Sequence, residues 1–273
     1  MVKQRSFSVL GDIAIVNFPF ETKVIEKKKF ANELLKKHVN LKTIVEKSRK
    51  FSGRFRKQKT KHLAGIKNKE VLYRENGCEF RFNLDETYFS PRLANERREI
   101  ADLIKKGEKV LVMCAGVAPF SIVIAKNTEA KIVYSNELNK KANEYAKENI
   151  SRNKVDEKIV LVSGDIKKVA SKLAKEDKKF DVIVMTRPQL VDTFLKEAFM
   201  LVKPKTRIYY YDFCKVEDKE LIVEKVKAEA KKAGKEIKIL NVKDAGEIAP
   251  YKVRLRVDFE VLGKSWFRKI FGR

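Results

Sequence analysis

KVLVMCAGVAPFSIVIAKNTEAKIVYSNELN, residues 109–139, reads as strand, glycine turn, helix, strand and then an acid, Glu137. The apolar run 110–113 is short enough for a buried parallel strand. Cys114-Ala115-Gly116-Val117-Ala118 is a small-residue turn, and a helix opens at Pro119, whose missing N–H suits a first helical turn. Gly116 lets backbone N–H groups approach a ligand, and Glu137, ending the second strand, can accept from both hydroxyls of a ribose. A nucleotide-binding half-fold satisfies both features. An ordinary βαβ unit with a tight turn is the plainer account, and a lone AGxA turn does not separate the two.

Downstream the alternation continues. The periodicity predicts helix 140–152, strand 159–163, helix 166–176, strand 181–185, helix 190–202, strand 207–213, helix 216–233 and strands near 237–242 and 253–262. Strands alternating with helices over this length predict an α/β fold with a doubly wound, mostly parallel sheet, which the final pair closes with an antiparallel edge strand. Ligands of such sheets bind outside the carboxyl ends of the strands. Gly164-Asp165 ends the third strand and Thr186-Arg187-Pro188-Gln189 the fourth, so both share a crevice with Gly116 and Glu137.

Upstream, 6–18 reads as a hairpin around Gly11-Asp12. A helix is expected over 24–37 with Ile25, Phe30, Leu34 and Leu35 inward, and a second hairpin over 69–84 turns at Asn76-Gly77. Residues 1–85 therefore read as a small α+β domain and 86–273 as the α/β domain. Within the first lies KSRKFSGRFRKQKTKH (47–62), where Phe51 and Phe55 interleave with Arg49, Arg54, Arg56, Lys57 and Lys59. Aromatics among arginines suit phosphate binding and base stacking, although a charge run is also what a solvated face requires. At the start of the second domain, a loop with Tyr88, Phe89, Pro91 and Arg92 leads into a helix expected over 93–105. That helix sets Arg92 and Glu96 four residues apart with Arg97 and Arg98 beside them. Taken alone, this is an ordinary surface ion pair. The aromatic, basic tail 264–273 is either a last packed segment or a further RNA contact.

Lys+Arg number 62 against 37 Asp+Glu, a net charge of +25 in 273 residues. No folding requirement explains that excess, and it predicts a polyanionic partner, nucleic acid first. Cys78, Cys114 and Cys214 have neither disulfide-framework nor metal spacing, and two histidines make a histidine-based centre an unsuitable reading. No metal is expected. No apolar run approaches bilayer length and the N-terminus lacks a signal-peptide pattern, so a cytoplasmic chain without membrane association is expected. A monomer is expected as well.

A glycine turn after the first strand, an acid after the second and an Asp after the third is the order found in class I S-adenosylmethionine-dependent methyltransferases, with their Rossmann-like sheet. The stretches VLGDIAIV (9–16), RENGCEFRFNLDETYFSPRLANER (74–97), AGVAPFSI (115–122), IYYYDF (208–213) and APYKVRLRVDF (249–259) go further. They resemble the archaeal and eukaryotic tRNA (guanine-N1)-methyltransferase family that modifies the purine 3′ of the anticodon. The resemblance spans nearly the whole chain. A related family transfers the aminocarboxypropyl group of the same cofactor to a wyosine precursor, but its counterpart of SPRL differs, which favours methyl transfer.

The resemblance implies S-adenosylmethionine as cofactor, tRNA as substrate and a role for each of several residues. Guanine N1 must lose its proton as it attacks the methyl group, and Glu96 matches the family's general base. Arg56 matches the arginine that stabilises charge on O6. Tyr88 and Arg92 match residues that hold the flipped-out base and its backbone, and Arg97 neighbours base and phosphates. Gly116, Glu137 and Asp165 would hold the methionine part, the ribose hydroxyls and the adenine amino group; Arg92 also belongs with the cofactor set. The chain departs from the family in three places: Val112 replaces an acid, Ala118 replaces the second glycine of the turn, and Thr186-Arg187-Pro188 replaces Asn-x-Pro. Thr186, Arg187 and Pro188 would then meet the target base, with one hydroxyl where the amide makes paired contacts. A further expectation follows from length: the chain begins where the family's second domain would begin, so tRNA recognition would rest on 1–85 and on charge. Methylation or aminocarboxypropyl transfer on a tricyclic wyosine intermediate, or a catalytically degenerate tRNA-binding homologue, remain as alternatives.

Overall fold

The computed structural model describes residues 7–47, 59–187 and 192–263. The first unit is a four-stranded sheet in the order β1-β2-β3-β4, from β1 (Phe7–Leu10), β2 (Ile13–Val16), β3 (Thr43–Lys47) and β4 (Thr60–Gly65). α1 (Val24–Lys37) connects β2 to β3, which are parallel, so the unit contains a βαβ crossover. α1 buries Ala31 and Leu34, with Phe30 and Leu35 partly buried beside them. Ile25, expected inward, is 75% exposed because it lies in the first turn, before the helix reaches the sheet. Neither β3 nor β4 is expected from the sequence; the run 47–62 that carries β4's start reads there only as a charged stretch.

The hairpin β5 (Glu70–Glu75) and β6 (Cys78–Asn83) forms its own two-stranded sheet, with Asn76 and Gly77 both at positive φ in its turn. Its packing differs from its expected place in the first domain. Val71, Phe80 and Phe82 join the core under the second domain's helices. Two buried asparagines, Asn149 of α4 (Lys140–Arg152) and Asn153 at its C-cap, act as a substitute strand for the edge of β6. Asn149 bonds both the N–H (2.7 Å) and C=O (3.0 Å) of Arg81, and Asn153 those of Glu79 at 2.9 and 2.7 Å. Side-chain amides thereby satisfy backbone groups that burial would otherwise leave unpaired.

The second domain is a seven-stranded sheet in the order β12-β13-β11-β10-β7-β8-β9. β7 (Lys109–Met113), β8 (Ile132–Glu137), β9 (Ile159–Ser163), β10 (Phe180–Met185) and β11 (Val202–Lys215) run parallel; β13 (Lys252–Val261) is antiparallel to β11 and β12 (Ile237–Ala249). α2 (Ala94–Asp102), α3 (Pro119–Asn127) and α4 cover one face, and α5 (Ile166–Lys175), α6 (Leu195–Met200) and α7 (Lys219–Lys232) the other. This is the expected doubly wound α/β sheet with its antiparallel edge. Several elements differ in length from the periodicity. The expected helix 93–105 is a 3-10 turn, Pro91–Leu93, followed by α2, because Pro91 opens the turn early and Leu103 ends it. β11 and β12 extend well past their apolar runs, since their ends are polar and exposed and pair chiefly through backbone.

Among the described residues no helix is long and apolar enough to cross a membrane, and no group of three or more His, Cys, Asp or Glu side chains is arranged to hold a metal ion.

Candidate active site

The turn between β7 and α3 places Cys114, Gly116 and Ala118 at φ of 57°, 62° and 65°. Three left-handed residues in five curl the backbone at the carboxyl end of the sheet. A Cβ on Gly116 would meet the Tyr88 carbonyl oxygen at 3.4 Å. The Gly116 N–H donates to Glu137 Oε2 at 2.8 Å, and Glu137 Oε1 accepts from the Asn139 N–H at 2.7 Å. Each carboxylate oxygen keeps further lone-pair capacity, so an incoming diol can still be accepted. Asn136, buried, braces this end by donating to the carbonyls of Val162 and Gly164 at 2.9 and 3.0 Å.

A cavity opens here, lined by Tyr88, Gly116, Glu137, Thr186, Arg187 and Arg254 among others. It satisfies the requirements for the cofactor implied by the resemblance: a left-handed glycine turn with no side chain, a carboxylate at the end of the second strand, and mostly apolar walls. Asp165 sits at the same sheet edge and N-caps α5, accepting from the Lys167 N–H at 3.0 Å; it does not line the cavity. Thr186 donates toward the carbonyls of Met113 (3.2 Å) and Cys114 (3.0 Å), tying the loop after β10 to the glycine turn. Val112 is fully buried in the core.

A second, larger cavity of about 710 Å³ lies between the first domain and the sheet and takes in Lys47, Arg92, Phe213 and Glu247. Tyr88, Phe89, Ser90 and Arg254 are common to both cavities. Burial, and then the neighbouring Arg92 charge, pushes the Lys47 amine below its ordinary range.

The structure does not bring all the expected residues to these walls. Glu96 is buried in a network on the covered face of the sheet. Its Oε2 accepts from Tyr211 and Arg256, each at 2.8 Å, and its Oε1 lies 3.2 Å from Lys243. Arg256 also bonds Glu99 and Asp258 at 2.6 and 2.8 Å. Burial, then the Glu96 charge, raises the Tyr211 hydroxyl well above its ordinary value, so it stays a donor. Arg97 is likewise committed: it forms a bidentate ion pair with Glu75, donates to the Ser90 carbonyl at 3.0 Å and lies over the rings of Phe89 and Phe120. It reaches the first cavity as a wall, with its charge already matched. Arg56 and Pro188 lie outside the described residues. Glu75, Tyr211, Arg254 and Arg256 carry no role in the sequence reading. The one available signal was the alternation RLRVD (254–258) in an apolar strand, which sets Arg254, Arg256 and Asp258 on one face.

Comparison with known proteins agrees with this geometry. The TRM5/TYW2 methyltransferase domain model matches residues 71–240, and that of the TYW2 N-terminal domain matches 2–69. The division falls before the β5–β6 hairpin, as does the packing. The tRNA (guanine(37)-N(1))-methyltransferase Trm5b of Pyrococcus abyssi is 33% identical over 257 residues, 94% of this chain and 74% of that protein. The tRNA (guanine(37)-N(1))/4-demethylwyosine(37)-methyltransferase Taw22 of Nanoarchaeum equitans is 31% identical, covering 94% of this chain and 100% of that one. A solved structure, that of aTrm5 in complex with tRNALeu, superposes with a TM-score of 0.81 at 30% identity, covering 94% of this chain and 72% of that chain. With its glycine turn, its Glu137 and its paired cavities on a sheet of that topology, the chain belongs to the TRM5/TYW2 methyltransferase family.

Proposed function

We propose that this chain is an S-adenosylmethionine-dependent tRNA methyltransferase that methylates N1 of guanine at position 37. The observation that carries the reading is the meeting of the Gly116–Glu137 cavity with a cation-lined cavity large enough for a nucleotide, across a shared wall of Tyr88, Phe89, Ser90 and Arg254. Gly116 and Glu137 would hold the cofactor, with Asp165 at the adenine end of the same sheet edge. Bound there, S-adenosylmethionine supplies an electrophilic methyl group. Tyr88 and Thr186 would border the base, Lys47 and Arg92 would meet phosphates, and the enclosed walls exclude water from the junction.

Glu96 is proposed as the group that takes the N1 proton. In the present arrangement Tyr211 and Arg256 hold its carboxylate outside the cavity lining, so proton uptake requires that hold to loosen when tRNA binds. Glu96→Gln should then slow single-turnover methylation about 100-fold or more while cofactor affinity stays nearly unchanged. Equal turnover would remove Glu96 as the base. A second reading, methylation of a tricyclic wyosine intermediate, is favoured by Thr186 standing where the family has Asn. Nucleoside analysis of tRNA after incubation decides: N1-methylguanosine is expected, a methylated wyosine base supports the second reading, and no product from either substrate overturns both.

A further inference from the structure

Three arginines are buried beside the two cavities, and their charges are handled differently. Arg97 has Glu75, and Arg256 has Glu96, Glu99 and Asp258. Arg254, two residues from Arg256 on the same strand face, has no carboxylate. It is 6% exposed, and its guanidinium lies over the Phe213 ring at 5.4 Å. Its Nε is buried without a hydrogen-bond partner, and no ion pair reaches it among the described residues. A buried guanidinium without an acceptor is costly, and a stacked ring compensates only in part. Such a group is retained where something that binds later brings the acceptor.

Where the acceptor comes from follows from position. Arg254 pairs in register with Phe213 at the carboxyl end of β11. Gly116, Glu137 and Asp165 follow β7, β8 and β9, whereas β11 and β13 lie on the other side of β10. The cofactor features therefore occupy one half of the crevice and Arg254 the other, at the wall common to both cavities. Within the larger cavity the exposed cation is Arg92, which suits a phosphate at the rim, while Arg254 lies over the Phe213 ring in a wall that also carries Phe89, which suits the flat body of a base.

We propose that Arg254 recognises the target nucleobase, donating from its buried guanidinium to a ring-carbonyl oxygen of the base held where the two cavities meet. The proposal rests on the reading of the chain as a tRNA methyltransferase and adds the residue that reads the base. Guanine and tricyclic bases derived from it both carry such an oxygen.

The test compares binding of two tRNAs, one with guanine and one with 2-aminopurine at the target position, the second lacking only the 6-oxygen from the purine's exocyclic groups. The wild-type protein should prefer guanine by roughly 10- to 100-fold, the range for a charge-assisted hydrogen bond. Arg254→Met should lose most of the preference, keeping only what Arg56 contributes at the same oxygen, with the salt dependence of binding unchanged, and Arg254→Lys should recover part of it. Chemical denaturation supplies the readout that a purely structural arginine would move the other way: Arg254→Met should be no less stable than wild type. Loss of stability with the base preference intact would assign Arg254 to the fold and overturn the proposal. A uniform loss of affinity for both tRNAs, with a salt slope reduced by about one, would assign it to a phosphate and overturn it equally. A fall in cofactor affinity with the base preference kept would do the same. Binding requires no turnover, so a protein that methylates no tRNA would refute the proposed activity while the base comparison still decides Arg254.

Discussion

The two ends of the crevice are built by different means. At the β7–β8–β9 end, the proposed cofactor features come from residues close in sequence and largely from backbone: Gly116 and Glu137 are joined through a main-chain N–H, and Asn139 bonds the same carboxylate two residues on. At the β11–β13 end, α2 meets the sheet through charged side chains far apart in the chain. Glu96 and Arg256 are separated by 160 residues. The first end is a local structure that packing merely supports; the second exists only when α2 and β13 are docked. A substitution in the Glu96–Arg256 network should therefore damage global stability, and one at the Gly116–Glu137 turn ligand affinity.

The sharpest way to break this comparison is Arg256→Met. It leaves Glu96, Glu99 and Asp258 without their shared cation, and removing one partner of a buried charge cluster costs about 3–5 kcal/mol. Urea denaturation should show that loss; a variant as stable as wild type would mean that the network adds nothing to docking α2 on the sheet. Glu137→Ala probes the other end. Cofactor affinity measured by calorimetry should fall about 10-fold or more, because the ribose acceptor is lost, while stability falls by only about 1 kcal/mol as two N–H groups lose a part-exposed partner. A larger effect on stability than on affinity would erase the contrast between the two ends. The smallest effect is expected at Ala118→Gly. A left-handed alanine costs about 1–2 kcal/mol, and glycine's extra freedom in the unfolded chain returns about 0.5–1 kcal/mol of that, so a gain within about 1 kcal/mol is expected by denaturation. A clear loss would mean that the alanine methyl's packing outweighs its backbone strain.

Apolar runs and turn chemistry disclosed most of the sheet, because the central parallel strands are buried on both faces and the turns after β7 and β9 carry a glycine. β3 and β4 were not legible because each offers only a pair of buried apolar residues, Ile44–Val45 and Leu63–Ala64, among polar ones, and the extensions of β11 and β12 because polar residues there pair by backbone and leave no apolar run. The β5–β6 hairpin was legible as a hairpin but not in its placement, which depends on Asn149 and Asn153 supplying amides to Arg81 and Glu79. At the site, Gly116, Glu137 and Thr186 line the cavity as expected, each sitting at the end of a parallel strand where topology alone directs it inward. Glu96 and Arg97 were legible as residues but not in their engagements.

The alternation of strands and helices, the glycine turn and the acid after the second strand follow from residue type and spacing, because each depends on backbone conformations set within a few residues. Partnership among charges does not. Whether an arginine is neutralised, as Arg97 is by Glu75 and Arg256 by Glu96, or left for a ligand, as Arg254 is, depends on which carboxylates folding brings within a few ångströms in a place that water cannot reach.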